Sequence, residues 1–163
     1  MLRRVALLLL VGALAPTFAG CASSPAAAAG NDSRAADANA EASAMAVLDA
    51  FMRSFSASDA AAHVDTYHFP HHRLARGVMN RWETRADALR DHLALFKTLP
   101  DSGWNRSEWV HRKVVTATAT KVHVDTRFRR LRADGSVIGT YDSLYVLIKR
   151  DGRWGVALRS SFL

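Results

Sequence analysis

The chain has a single cysteine, Cys21, in 163 residues, and without a second thiol it can form no internal disulfide. It also lacks an apolar run of membrane-spanning length: the stretch Val5 to Leu14 is about half of what a helix needs to cross a bilayer. From Ala22 to Glu41 there is no aromatic or large aliphatic residue, so that segment has nothing to bury against the entropy of ordering it. Acidic residues are fewer than basic ones, 15 against 22, and because three of each sign precede residue 42, the whole excess of +7 falls on residues 42–163. Most of that charge is single arginines. The densest run, Arg127, Arg129, Arg130 and Arg132, is interleaved with Phe128 and Leu131 as a solvated strand face would be, and no nucleic-acid motif accompanies it. Nucleic acid is therefore not an expected partner.

What is present begins with a leader. Arg3 and Arg4 precede the apolar run, and the small residues Ala19 and Gly20 end it, the layout of an export signal over 1–20. Phe18-Ala19-Gly20-Cys21 resembles the lipobox of bacterial lipoproteins, with Phe18 where leucine is usual. That resemblance implies cleavage before Cys21, acylation of its sulfur, and a membrane partner reached through the lipid anchor. Ala22 and Ser23, with no Asp at the second mature position, imply the outer membrane of a bacterial envelope, facing the periplasm. Residues 21–41 are then expected to form a flexible tether and 42–163 one domain.

Within the domain the period of the apolar residues changes once. Met45, Leu48, Phe51, Met52 and Phe55 recur at helical spacing over 44–55; Ser58 and Asp59 can cap a second helix over 60–65; Thr84 can cap a third whose stripe is Ala88, Leu89, His92, Leu93, Leu95 and Phe96. Between the last two lie short extended pieces, 73–77 and 78–83. After Gly103 the signals become extended: 104–116, 121–131, 136–150 and 153–162 are rich in Val, Thr, Tyr and Trp, with Asp134-Gly135 and Asp151-Gly152 as hairpin turns. Val122, Val124, Thr126 and Phe128 share one face of their strand and Lys121, His123, Asp125, Arg127 and Arg129 the other. The expectation is an α+β domain, three N-terminal helices covering a curved antiparallel sheet of four long strands.

That order, together with Tyr141 to Val156 closing on Asp151-Gly152-Arg153-Trp154, resembles the nuclear-transport-factor-2-like superfamily, which includes SnoaL-like cyclases, ketosteroid isomerase and scytalone dehydratase. The resemblance implies a cone-shaped fold whose helices and sheet enclose a pocket, and pairing through the sheet into a homodimer. It does not choose a function, because one fold hosts many. Two readings stand: an envelope lipoprotein that binds a small molecule or a protein partner without catalysis, and a small cofactor-free lyase or isomerase of the SnoaL-like kind.

Candidate ligand-binding residues are His68, His71, Trp104, Arg106, Tyr141 and Arg159, chosen for a small apolar or anionic ligand held by aromatic walls and an arginine. Arg159 is an anion anchor if the Ala157 side of its strand faces inward, and a dimer-face or solvent arginine if it does not. His68, His71 and His72 are spaced poorly for a metal, since neighbours diverge on an extended chain and a catalytic zinc wants three converging ligands. No metal or cofactor is expected. No catalytic residue is assigned, because Asp65, Asp125 and Asp142 fit no carboxylate pattern for isomerase chemistry.

Overall fold

The second and third helices start where the sequence supplies caps. In the computed structural model, which describes residues 25–162, the order is α1 (Pro25–Ser56), α2 (Ala60–Asp65), β1 (Tyr67–Ala75), β2 (Val78–Trp82), α3 (Arg85–Thr98) running into a 3-10 turn (Leu99–Ser102), then β3 (Arg106–Thr118), β4 (Lys121–Leu131), β5 (Val137–Arg150) and β6 (Arg153–Phe162). Asp59 accepts the Ala62 N–H at 2.9 Å to open α2, and Thr84 accepts the Asp87 N–H at 3.2 Å to open α3. Cys21 and its leader lie outside the described residues.

One expectation about α1 is corrected. The segment read as coil up to residue 41 is helical from Pro25, and Ala40 is already a core residue, 3% exposed. Alanine has the lowest helical cost of any residue, so a stretch with nothing large to bury can still continue a helix that is anchored further on. Ala40, Ala44, Leu48 and Phe51 form the buried stripe of α1, packed on Val122, Val124, Tyr145, Leu147 and Val156 of the sheet. Burying each large member contributes about 1.5–3 kcal/mol. The Trp109 indole N–H donates to the Leu48 carbonyl at 3.3 Å and Arg112 bridges to Asp49 at 2.7 Å, fixing α1 across β3.

The sheet is also larger than expected. It has six strands in the order β2-β1-β6-β5-β4-β3, mixed rather than antiparallel, because β1 runs parallel to β6. The expectation of four long strands counted β3 to β6 and left out the shorter pair, which adds to the other edge of β6. Pro70 has no N–H to offer a ladder, and it lies where the β1–β6 register slips, between Tyr67 and His72. A second irregularity matters more. Leu147 faces Val156 while Val146 faces Leu158, so Ala157 is an extra residue in β6, a bulge. Val156 and Arg159 therefore share the helix-covered face of the sheet, although their separation by three positions would put them on opposite faces of a regular strand.

Candidate functional site

One rung of the sheet carries the site. Asn80 of β2 faces Arg73 of β1, Arg73 faces Arg159 of β6, and Arg159 faces Tyr145 of β5. Partners directly across a ladder share a face, so the rung projects beneath the helices. One strand over, Arg130 projects the same way beside Phe128, two residues back and so on the same face. Together with Phe51, Met52 and Phe55 of α1, His63 of α2, and Asp91, His92 and Leu95 of α3, these residues line a cavity of about 250 Å³.

The three arginines set its electrostatics. Arg73, Arg130 and Arg159 each have a buried Nε that makes no hydrogen bond among the described residues, and no carboxylate there forms an ion pair with any of them. Burial, followed by the charge of Arg159, pushes Arg73 down to about 10. Burial also lowers Arg130, again with Arg159 contributing. Arg159 itself is raised: burial is the largest single effect and acts against its charge, and it is overcome only where the Tyr145 and Tyr67 phenols are ionised; with Tyr67 neutral near pH 7, burial prevails there. Its Nη1 donates to the Tyr145 hydroxyl at 3.3 Å, and its guanidinium lies 5.6 Å from the Phe51 ring centre and 5.7 Å from that of Tyr145. Asp91 lines the cavity too, yet its carboxylate is engaged by the Trp82 indole N–H at 2.9 Å and by Arg90 at 3.2 Å. The cavity is thus cationic and aromatic-walled.

Beside the arginines lies a polar triad. The Tyr67 hydroxyl sits 3.0 Å from His63 Nε2 and 3.1 Å from His92 Nε2, with all three side chains buried. His92 Nδ1 donates to the Ala88 carbonyl at 2.8 Å, and His63 Nδ1 lies 3.1 Å from the Phe51 carbonyl. Burial, then the charges of His92 and Arg159, holds His63 well below its ordinary value, and burial lowers His92. Burial raises the Tyr67 phenol. Both imidazoles are therefore neutral near pH 7.

Of the residues singled out from sequence, Arg159 lines this cavity and the other five do not. His68 is occupied by Arg153, accepting from Nη2 at Nδ1 and donating from Nε2 to the backbone carbonyl, both at 3.1 Å. It packs so tightly on Gly155 that a Cβ there would lie 2.7 Å from the ring. His71 is stacked on Tyr67 at 3.9 Å and donates to the Val156 carbonyl at 2.9 Å; burial pushes it down to about 3. Trp104 belongs to the small core around Phe96 and donates to Ser107, which does line the cavity, at 2.9 Å. Arg106 is exposed at the start of β3. Tyr141 supports the site from behind, with the Arg130 guanidinium 5.4 Å from its ring centre. Gly139, opposite Arg130, makes room for that ring: a Cβ at 139 would meet the Tyr141 hydroxyl at 2.6 Å.

The carboxylates considered for catalysis face elsewhere. Asp65 binds Arg85 at 2.6 Å, Asp125 binds His111 at 3.1 Å, and Asp142 accepts from Nε and Nη2 of Arg127 at 2.6 and 2.9 Å. Among the described residues there is no group of three metal-ligating side chains, and no helix long and apolar enough to cross a membrane. Residues that sequence reasoning passes over are His63, Arg73, His92 and Arg130. His92 falls in an apolar helical stripe and reads as part of it. For Arg130 a signal exists, since it continues the face of Val122, Val124, Thr126 and Phe128.

Comparison with known proteins agrees with this architecture. A ketosteroid isomerase-like protein from Erwinia carotovora superposes with a TM-score of 0.57 at 20% identity, covering 74% of this chain and 92% of that one. An NTF2-like protein of unknown function from Shewanella oneidensis gives 0.57 at 14% identity, covering 72% and 93%. A protein from Catenulispora acidiphila, in complex with S-DNPA, gives 0.61 at 18% identity, covering 76% and 92%. At these identities the likeness is one of fold. No curated protein sequence matches the chain. Residues 40–160 match the family described as NTF2-like protein (DUF6841), and with three-quarters of its length matched the chain belongs to that family.

Proposed function

We propose that this protein is a lipid-anchored envelope protein whose domain binds a small organic anion with an aromatic or apolar body, without transforming it. The observation that carries the reading is the cluster of Arg73, Arg130 and Arg159, buried against one cavity with unpartnered Nε atoms and no opposing carboxylate among the described residues. Unpaired buried charge is costly, and a fold that retains it without an internal counter-ion is built for an external one. The walls of Phe51, Phe55, Trp82, Phe128 and Tyr145 suit a flat apolar body, and guanidinium groups match a carboxylate bidentately. The Catenulispora acidiphila protein of like fold is in complex with S-DNPA.

Benzoate and benzamide share a shape and differ in charge, so they test the reading directly. Equilibrium dialysis is expected to show benzoate bound at least about tenfold more tightly than benzamide, with the preference shrinking as salt is added. Equal binding of the two, or none of either, overturns the anion reading. The alternative reading, a cofactor-free lyase or isomerase, is favoured by the His63–Tyr67–His92 triad, which can move a proton. Native mass spectrometry of protein taken from its own envelope separates the two, since a binding module carries one unchanged ligand and an enzyme a substrate and product related by proton transfer or loss of water.

The anchor rests on Cys21 and the leader before it. Substituting Cys21→Ser is expected to release the protein from membranes or to leave its precursor uncleaved, read by fractionation and intact mass. A fully processed variant that still sediments with membranes overturns this part of the proposal.

A further inference from the structure

The triad holds one hydrogen too few. Four contacts run in series through it: the Phe51 carbonyl to His63 Nδ1, His63 Nε2 to the Tyr67 oxygen, that oxygen to His92 Nε2, and His92 Nδ1 to the Ala88 carbonyl. Each needs one hydrogen between its two heavy atoms. Carbonyl oxygens can only accept, and neutral His63, Tyr67 and His92 bring one hydrogen each, three for four contacts. With both Nδ1 atoms donating to carbonyls, both Nε2 atoms present lone pairs to a single phenol, which can satisfy one of them. The remaining contact sets two acceptors about 3 Å apart in a buried site, an arrangement that costs about 1–3 kcal/mol.

The neutral triad has one alternative. His63 can turn its hydrogen to Nε2 and accept at Nδ1 from the Ser54 hydroxyl, 3.3 Å away. Ser54 already donates to the Ala50 carbonyl at 2.7 Å, and the His63 Nδ1 lone pair would then face the Phe51 carbonyl at 3.1 Å. One added proton resolves all four contacts without those losses. It makes an imidazolium of His63 or His92, shared through Tyr67.

The surrounding charges oppose that proton. His63, on α2, faces His71 on β1, His92 on α3 and Arg159 on β6; His92 faces Arg159 and Arg73, with Asp91 the one carboxylate on its side. An anion held by the arginines offsets the field that they impose. Resting on the anion-binding reading above, we infer that the His63–Tyr67–His92 triad takes up one proton when an organic anion enters the cavity, so that the site binds an anion and a proton together. Affinity then rises as pH falls, by up to about tenfold per pH unit between the proton affinities of the free and occupied triad.

The experiment adds sodium benzoate to unbuffered protein held at about pH 6.5, where the carboxylate of the probe is ionised and the free triad neutral. The acid needed to hold the pH counts protons taken up, and equilibrium dialysis counts benzoate bound. About one proton per benzoate is expected, and ¹⁵N spectra of the imidazoles should show one new imidazolium at His63 or His92. Tyr67→Phe removes the bridging oxygen and should bind benzoate with no uptake. Ser54→Ala removes the neutral alternative and should leave uptake intact. Benzoate bound with no proton overturns the inference while leaving the anion site standing; uptake that persists in Tyr67→Phe places the proton elsewhere and overturns it too. Absence of benzoate binding overturns the reading on which it rests.

Discussion

Replacing Arg159 by methionine should make the protein more stable and less able to bind. The Arg159 guanidinium is buried with its Nε unpartnered and faces the charges of Arg73 and Arg130. Removing it ends that desolvation and repulsion, while Met keeps most of the stem and fills the space between Phe51 and Tyr145. Against the gain stand one hydrogen bond to Tyr145 and two cation–π contacts. Because desolvation of an unpaired ion outweighs these, Arg159→Met is expected to raise unfolding free energy by about 1–3 kcal/mol in urea titrations. Benzoate affinity should fall at least about 30-fold in the same variant. A destabilised Arg159→Met that still binds benzoate would make this arginine a structural residue.

Mild acid is the second large lever. Burial lowers His63, His71 and His92 from the ordinary value of 6.5, His71 to about 3. The unfolded chain takes up protons at these positions near pH 6.5 and the folded chain does not, so their contribution is complete above pH 6.5 and is lost progressively as pH falls toward the folded values. Together with His68, which burial also lowers, these groups make stability fall as pH drops below 6.5, each by up to about 1.4 kcal/mol per pH unit. The carboxylates lowered by partners, such as Asp142 beside Arg127, act only at lower pH and do not confuse this window. Urea midpoints that stay level from pH 7 to 5.5 would mean that water reaches these imidazoles.

How much of the molecule is legible in its sequence depends on whether the information is local. The helix over 60–65, the strand over 121–131 and both Asp-Gly hairpins follow from caps, alternation and turn chemistry, which neighbouring residues decide. Arg130 is legible in the same way, being in step with Phe128. Arg159 is not, because the bulge at Ala157 shifts the strand's alternation, and no residue type there announces it. Nor is the Arg73–Arg159 pair, which exists only because β1 lies parallel to β6, a pairing between distant parts of the chain. His63 and His92 look like members of apolar helical faces, and they are; what makes them a site is Tyr67 arriving between them from a strand.

The position of β6 makes it the strand that joins the two halves of the sheet. It is the last strand among the described residues, yet it sits inside the sheet, with β1 on one side and β5 on the other. Without it, β1–β2 and β3–β5 are separate ribbons, each with a bare edge toward the gap, and such edges invite pairing with other chains. A polypeptide cut short before Arg153 would therefore be left with two sticky halves and no binding site.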